Sequence, residues 1–202
     1  METLRYSRRT ALYVVVTLAL LGNPFLNARA NDFSLYGQLS NTRAGLCAAT
    51  EVINSFIYLD NLAPGVFDST PLIPRGMTNA TARNDFAWFG WPGEPSGDSG
   101  YYKPGAGNPD VRLLQWKELW VQTFAPTVPV TFASMIGNVS GFPTLDFLRS
   151  ENAKLEDVEL IIQFVGKSSA HCVDLVSMGT DSNGNPTIQY QDPNNPKTLI
   201  SQ

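Results

Sequence analysis

The predicted fold depends on a helical pattern in the stretch Gly45-Leu-Cys47-Ala-Ala-Thr-Glu-Val-Ile-Asn-Ser-Phe-Ile-Tyr-Leu59. Its apolar residues Val52, Ile53, Phe56 and Leu59 recur at helical spacing, which predicts a helix that begins close to Cys47. The glycine just upstream lets the backbone turn sharply into that helix. A thiol in the first turn lies at the positive end of the helix dipole, which lowers its pKa. Cys47 is therefore the candidate nucleophile.

The candidate base is His171, the only histidine of the chain, which lies 124 positions after Cys47. It begins the alternating stretch 171–178, which predicts a strand. The turn signal Asp181-Ser-Asn-Gly-Asn185 separates this strand from a second one at 187–191. If the two strands pair as a hairpin, Asp192 lies at the same end as His171. Asp192 is then placed to fix the orientation and tautomer of the imidazole.

The remaining pattern favours an α+β fold, with helices early and an antiparallel β meander late. A second helix starts at Pro109, with an apolar face that contains Trp116 and Trp120 and with Lys117 away from that face. The prolines and glycines of 64–76 argue against regular structure there. The other predicted elements are a strand over 130–136, a helix over 145–152 capped by Thr144, and a strand over 158–165.

Residues Gly90–Pro109 form the stretch with the least regular pattern, because ten of its positions are glycine or proline. Aromatic residues lie in and beside it, among them Trp88, Trp91 and Tyr101. Two interpretations stay open. The stretch is either a long surface loop fastened to the core by its aromatic residues, or the aromatic wall of a substrate cleft.

The first thirty residues predict a secretory signal peptide. Arg5, Arg8 and Arg9 precede an apolar run over 11–21, and Ala28-Arg29-Ala30 fits a cleavage site after Ala30. The apolar run is shorter than the roughly 20 residues that span a membrane, so we expect no membrane attachment after cleavage. The prediction is a signal peptide over 1–30, one domain over 31–202, and a secreted or periplasmic location.

The charge of the chain argues against a nucleic-acid partner. Removing the four basic residues and one acidic residue of 1–30 changes the formal net charge from −4 to −7. No basic cluster interleaved with aromatic residues occurs. One histidine and two cysteines without a close pair make a poor zinc set, so we expect no metal and no organic cofactor. The sequence leaves the oligomeric state open.

The two ends of the mature chain resemble the papain-like cysteine peptidases. The residues Gly45-Leu-Cys47-Ala-Ala-Thr-Glu resemble their nucleophile helix, and Ala170-His171-Cys-Val-Asp resembles their histidine strand. Gln189-Tyr-Gln-Asp192-Pro193 is similar to the Asp-Pro ending of the bacterial branch of the family. The stretch from His171 to Asp192 is also similar to the immunoglobulin-cleaving peptidases of streptococci. About a third of the mature chain takes part in the resemblance.

The resemblance implies a papain-like fold, with the nucleophile helix packed on a C-terminal β meander or half-barrel. It implies hydrolysis of peptide or isopeptide bonds in a protein or peptide substrate by Cys47, His171 and Asp192. The usual oxyanion glutamine lies nearer the cysteine than Gln38 does. Gln38 is nevertheless the residue we assign, because Asn41 is better spaced but is not a glutamine.

Two alternatives remain. The first is a non-catalytic secreted binding domain with a Cys47–Cys172 disulfide, which is the default for two cysteines in an oxidising compartment. Adjacent strand residues point to opposite faces, so a His171 that faces Cys47 predicts that Cys172 faces away. The second alternative is another Cys-His-Asp enzyme, either transglutaminase-like or a cell-wall amidase.

Overall fold

The structure is a computed structural model and describes residues 10–20, 32–42, 45–89, 109–128, 130–136, 143–154, 157–164 and 170–202. The elements run in the order β1 (Thr10–Leu20), a 3-10 turn (Phe33–Leu35), α1 (Cys47–Leu62), α2 (Pro64–Phe67), α3 (Asn79–Phe89), α4 (Pro109–Phe124), β2 (Val130–Ile136), α5 (Leu145–Ala153), β3 (Asp157–Phe164), β4 (Ala170–Thr180), β5 (Pro186–Gln191) and β6 (Leu199–Ser201). The mixture of helices and one antiparallel sheet confirms the predicted α+β class.

The six strands form one sheet in the order β2-β1-β3-β4-β5-β6, and each neighbouring pair is antiparallel. β1 is the apolar run that the sequence predicts to belong to a signal peptide. It lies between β2 and β3 in the full-length chain. Cleavage after Ala30 stays a prediction, and it would remove this strand from the exported protein. No helix of the described ranges is long and apolar enough to span a membrane.

Among the described residues, two apolar cores lie on opposite faces of β3 and β4. The larger core contains side chains of α1 to α4 together with Cys172 and Val176 of β4. The smaller core lies on the other face and contains Leu148 of α5 together with side chains of β3, β4 and β5. The predicted apolar face of α1 is confirmed, because Val52, Ile53 and the other members of its stripe are fully buried. α1 is therefore the central helix of the larger layer.

Local sequence signals explain most element boundaries. The Thr144 hydroxyl accepts a hydrogen bond from the Phe147 N–H, which is the predicted cap of α5. Gly184 has φ +81° in the turn between β4 and β5, and Asp181 accepts two backbone N–H bonds there. The region after α1 is a correction. Pro64 begins the short helix α2, because proline suits the first helical position, and α3 follows from Asn79.

The position of Lys117 is a second correction, because it is fully buried. Its ammonium group donates to Asp157 Oδ2 at 2.8 Å and to Glu159 Oε1 at 2.5 Å. Ser55 of α1 also bonds to both carboxylates. Helical periodicity places Lys117 away from the apolar face of α4. In the structure Asp157 and Glu159 of β3 contact Lys117 and bury it. This contact joins α4, α1 and the sheet through charge rather than apolar packing.

Replacing Lys117 with methionine is expected to lower the free energy of unfolding by about 3–5 kcal/mol at neutral pH, because two buried carboxylates lose their cation. Urea denaturation measures the change in the free energy of unfolding, with a chelator present so that metal ions do not affect the comparison. The control is Arg149→Met, which removes an exposed ion pair with Asp146 and should change stability little. Equal stability of the two variants would contradict a stabilising role for the contact of Lys117 with Asp157 and Glu159.

Candidate active site

The candidate nucleophile is the first residue of α1. Gly45 has φ +82°, so the chain turns into the helix through a conformation that glycine adopts without strain. The N-cap residue Leu46 makes no side-chain hydrogen bond to the first turn. No side chain therefore caps the N–H groups near Cys47. Free N–H groups at a helix N-terminus can stabilise an anion.

The candidate base and its orienting acid come from one hairpin, as the sequence predicts. Nε2 of His171, at the start of β4, lies 2.9 Å from Oδ1 of Asp192, which directly follows β5. The Asn194 backbone N–H donates to the same carboxylate oxygen at 2.8 Å. The Asn194 side-chain nitrogen lies 3.3 Å from His171 Nε2. With Nε2 engaged in this way, Nδ1 is the ring nitrogen left for the thiol.

The Cys47 thiol lies close enough to the His171 side chain for each group to shift the pKa of the other. Burial raises the pKa of Cys47, but interaction with the His171 side chain, the backbone N–H groups of Cys172 and Ala48 and the charge of His171 bring the pKa below the usual thiol value. Burial lowers the pKa of His171, but its bonds to Asp192 and Cys47 raise it to about 10. The pair therefore favours a thiolate beside an imidazolium at neutral pH.

The acid is also suited to its position. Burial raises the pKa of Asp192, but the hydrogen bonds from His171 and from the Asn194 N–H lower it below the usual value. The side chains of His171 and Asp192 are only 16% and 20% exposed, so solvent screens their contact weakly. Asp192 thus stays ionised and holds the imidazole by its Nε2 side.

Cys172 lies closer to Cys47 than strand alternation predicts. Its side chain is buried in the larger core, against which Cys47 also packs, and its backbone N–H lowers the pKa of the Cys47 thiol. The expectation that Cys172 faces away from Cys47 is therefore wrong, because the helix-facing side of β4 carries Cys172. Both cysteines are free thiols in the structure. Burial raises the pKa of Cys172 well above its usual value, which makes it the unreactive thiol of the two.

The segment that precedes α1 lies along the same end of the sheet. The Asn54 side chain of α1 pairs with the backbone of Leu39, and Gln191 of β5 donates to the Gly37 carbonyl. A side chain at Gly37 would meet Asn54 Oδ1 at 2.6 Å, so the segment and helix can approach this closely only with glycine there. These bonds fix the backbone that carries the oxyanion candidates.

The two amide candidates of this segment differ in their surroundings. The Gln38 side chain is exposed. Asn41 is half-buried, its backbone N–H donates to the Pro193 carbonyl at 2.7 Å, and its side chain lies 3.4 Å from Asn194 Oδ1. Asn41 is thus linked to the loop that carries Asp192, while the assignment of Gln38 stays a prediction.

The candidate substrate cleft falls largely outside the described residues. Trp91 and Tyr101 belong to ranges that the structure does not describe, and Trp88 lies at the end of α3. The aromatic wall therefore stays a prediction. Comparisons with protein-family models, with curated proteins and with solved structures find no match for this chain.

Proposed function

We propose that this protein is an exported cysteine peptidase with a papain-like arrangement of its catalytic residues. The observation that carries the proposal is that His171, whose Nε2 lies 2.9 Å from Asp192 Oδ1, is close enough to the Cys47 thiol to lower its pKa. A nucleophile at a helix start, a base on a strand and an acid one hairpin later agree with the papain-like expectation. The apolar segment over 11–21 favours export to a secreted or periplasmic location.

The chemistry follows from the roles of the three side chains. The Cys47 thiolate attacks the carbonyl carbon of a peptide or isopeptide bond, and the Cys47 backbone N–H at the helix start stabilises the oxyanion. The His171 imidazolium donates its proton to the leaving amine, which leaves an acyl-enzyme. Neutral His171 then takes a proton from water, and the resulting hydroxide releases the acid and restores the thiolate.

The test is hydrolysis of an unfolded protein substrate as a function of pH. We expect kcat/KM to be high at neutral pH, because Cys47 ionises below the usual thiol pKa. We expect the rate to fall near pH 10, where the imidazolium loses the proton that the leaving group needs. The two pKa values belong to the pair as a whole.

Two results would contradict the proposal. One is the absence of hydrolysis at every pH with both thiols reduced. The other is a rate that rises only above the usual thiol pKa, because it would mean that His171 does not activate Cys47. Transfer of the acyl group to an added amine, without hydrolysis, would instead identify a transglutaminase-like enzyme. Cleavage of peptidoglycan peptides but not of proteins would identify a cell-wall amidase.

A further inference from the structure

Four carboxylates lie together where α1 packs on the sheet, and the proposed catalytic mechanism does not use them. Asp157 and Glu159 come from β3, Asp174 from β4 and Glu51 from α1. Glu159 and Asp174 are directly opposite each other in the strand register. All four residues are fully buried. The cluster therefore joins the central helix to two central strands.

The charge of this cluster is not balanced by its lysine. Lys117 contributes one positive charge, and it occupies one oxygen of Asp157 and one of Glu159. Four ionised carboxylates would exceed it by three charges. Buried charge without a partner is strongly unfavourable, so the cluster must take up further positive charge as protons or as a metal ion.

Several carboxylate oxygens of the cluster have no hydrogen-bond partner. They are Asp157 Oδ1, Glu159 Oε2, both oxygens of Asp174 and Glu51 Oε1. Glu51 and Asp174 lie close enough for each to affect the pKa of the other, so one proton can be shared between the two carboxyl groups. Such a proton satisfies one oxygen of each residue, and it leaves an oxygen of Asp157, of Glu159 and of Asp174 unpaired.

The spacing of the three carboxylates of the sheet fits one cation. One oxygen from each of Asp157, Glu159 and Asp174 lies within 4.8 Å of the other two. Calcium–oxygen distances are about 2.3–2.6 Å, so oxygens on opposite sides of one calcium ion are about 5 Å apart. Magnesium usually retains several of its waters, which suits a fully buried carboxylate cluster less well.

We propose that Asp157, Glu159 and Asp174 bind a calcium ion, with Glu51 completing the acidic shell. One calcium ion, the Lys117 ammonium and one shared proton balance the four carboxylates. The ion would fasten α1, which carries Cys47, to β3 and β4. The role is structural and does not depend on the proposed peptidase activity, so either proposal can fail without the other.

The experiment uses the purified protein after removal of metals with EDTA. Thermal unfolding at pH 7.5 is compared in EDTA, in MgCl₂ and in CaCl₂. We expect calcium at about a hundred times its Kd to raise Tm by about 5–10 °C, with a smaller effect of magnesium. Terbium luminescence is the second readout. Besides burial, the charges of Asp157, Asp174 and Glu159 raise the pKa of Tyr36. This tyrosine therefore lies near the cluster and can sensitise a bound terbium ion.

Asp174→Asn should abolish the calcium-dependent Tm shift and the terbium signal, whereas Asp146→Asn on the surface of α5 should retain both. Equal Tm in EDTA and CaCl₂ together with no terbium signal in the wild-type protein would overturn the proposal and leave protons as the counter-charge. Binding that survives unchanged in Asp174→Asn would also overturn it. The wild-type measurements decide the question even if the buried variant does not fold.

Discussion

Replacing Cys47 with alanine is expected to reduce kcat/KM for hydrolysis of an unfolded protein by about 10⁴-fold or more, because the attacking atom is lost. The fold should be retained, since alanine is a good helix former and Cys47 is not among the fully buried core residues. Near-ultraviolet circular dichroism checks the fold, and the rate of peptide release measures the activity. Residual activity near that of the wild type would remove Cys47 from the mechanism.

The matched control is Cys172→Ala. The backbone N–H of Cys172 lowers the pKa of the Cys47 thiol, and any residue except proline retains that group. We therefore expect its activity to stay within about tenfold of the wild type, with some loss of stability from the smaller buried side chain. Loss of activity in both variants to the same extent would indicate that the two cysteines act together.

Replacing His171 with alanine is expected to cost about 10⁴-fold in kcat/KM, whereas Asp192→Ala should cost less, about 10²-fold to 10³-fold. His171 both activates the thiol and protonates the leaving amine, so its loss removes two functions. Asp192 acts through His171, and the Asn194 side chain that lies 3.3 Å from Nε2 still restricts the ring. Steady-state kinetics of both variants measure the two losses in kcat/KM. The control is Asp146→Ala, a substitution of an exposed residue outside the site. A larger loss for Asp192→Ala would mean that its role is misassigned.

Local signals in the sequence predict α1, α4, α5 and the strands β2 to β5, but not β1, α2, α3 or β6. The apolar stripe of α1, the Thr144 cap of α5 and the Asn-Gly turn after β4 all depend on neighbouring residues. The hairpin prediction also located Asp192 beside His171, because strand pairing through a defined turn fixes the register. These features need no knowledge of the rest of the chain.

Features that depend on distant contacts could not be predicted in this way. Lys117 is buried because Asp157 and Glu159 meet it from β3, some forty positions later in the chain. Alternation along β4 gave the wrong position for Cys172, since it relates side chains within the strand but does not say which face α1 covers. The four-carboxylate cluster combines residues from α1, β3 and β4, and its members are ordinary acidic residues when the sequence is read alone.

Peptide mapping after brief alkylation measures whether Cys47 is a free, activated thiol. The folded protein is treated with iodoacetamide at neutral pH, with and without prior exposure to an epoxide that reacts with catalytic cysteines. We expect rapid labelling of Cys47, protection of Cys47 by the epoxide, and labelling of Cys172 only after unfolding. Recovery of a Cys47–Cys172 disulfide, or equal slow labelling of the two thiols, would contradict this expectation.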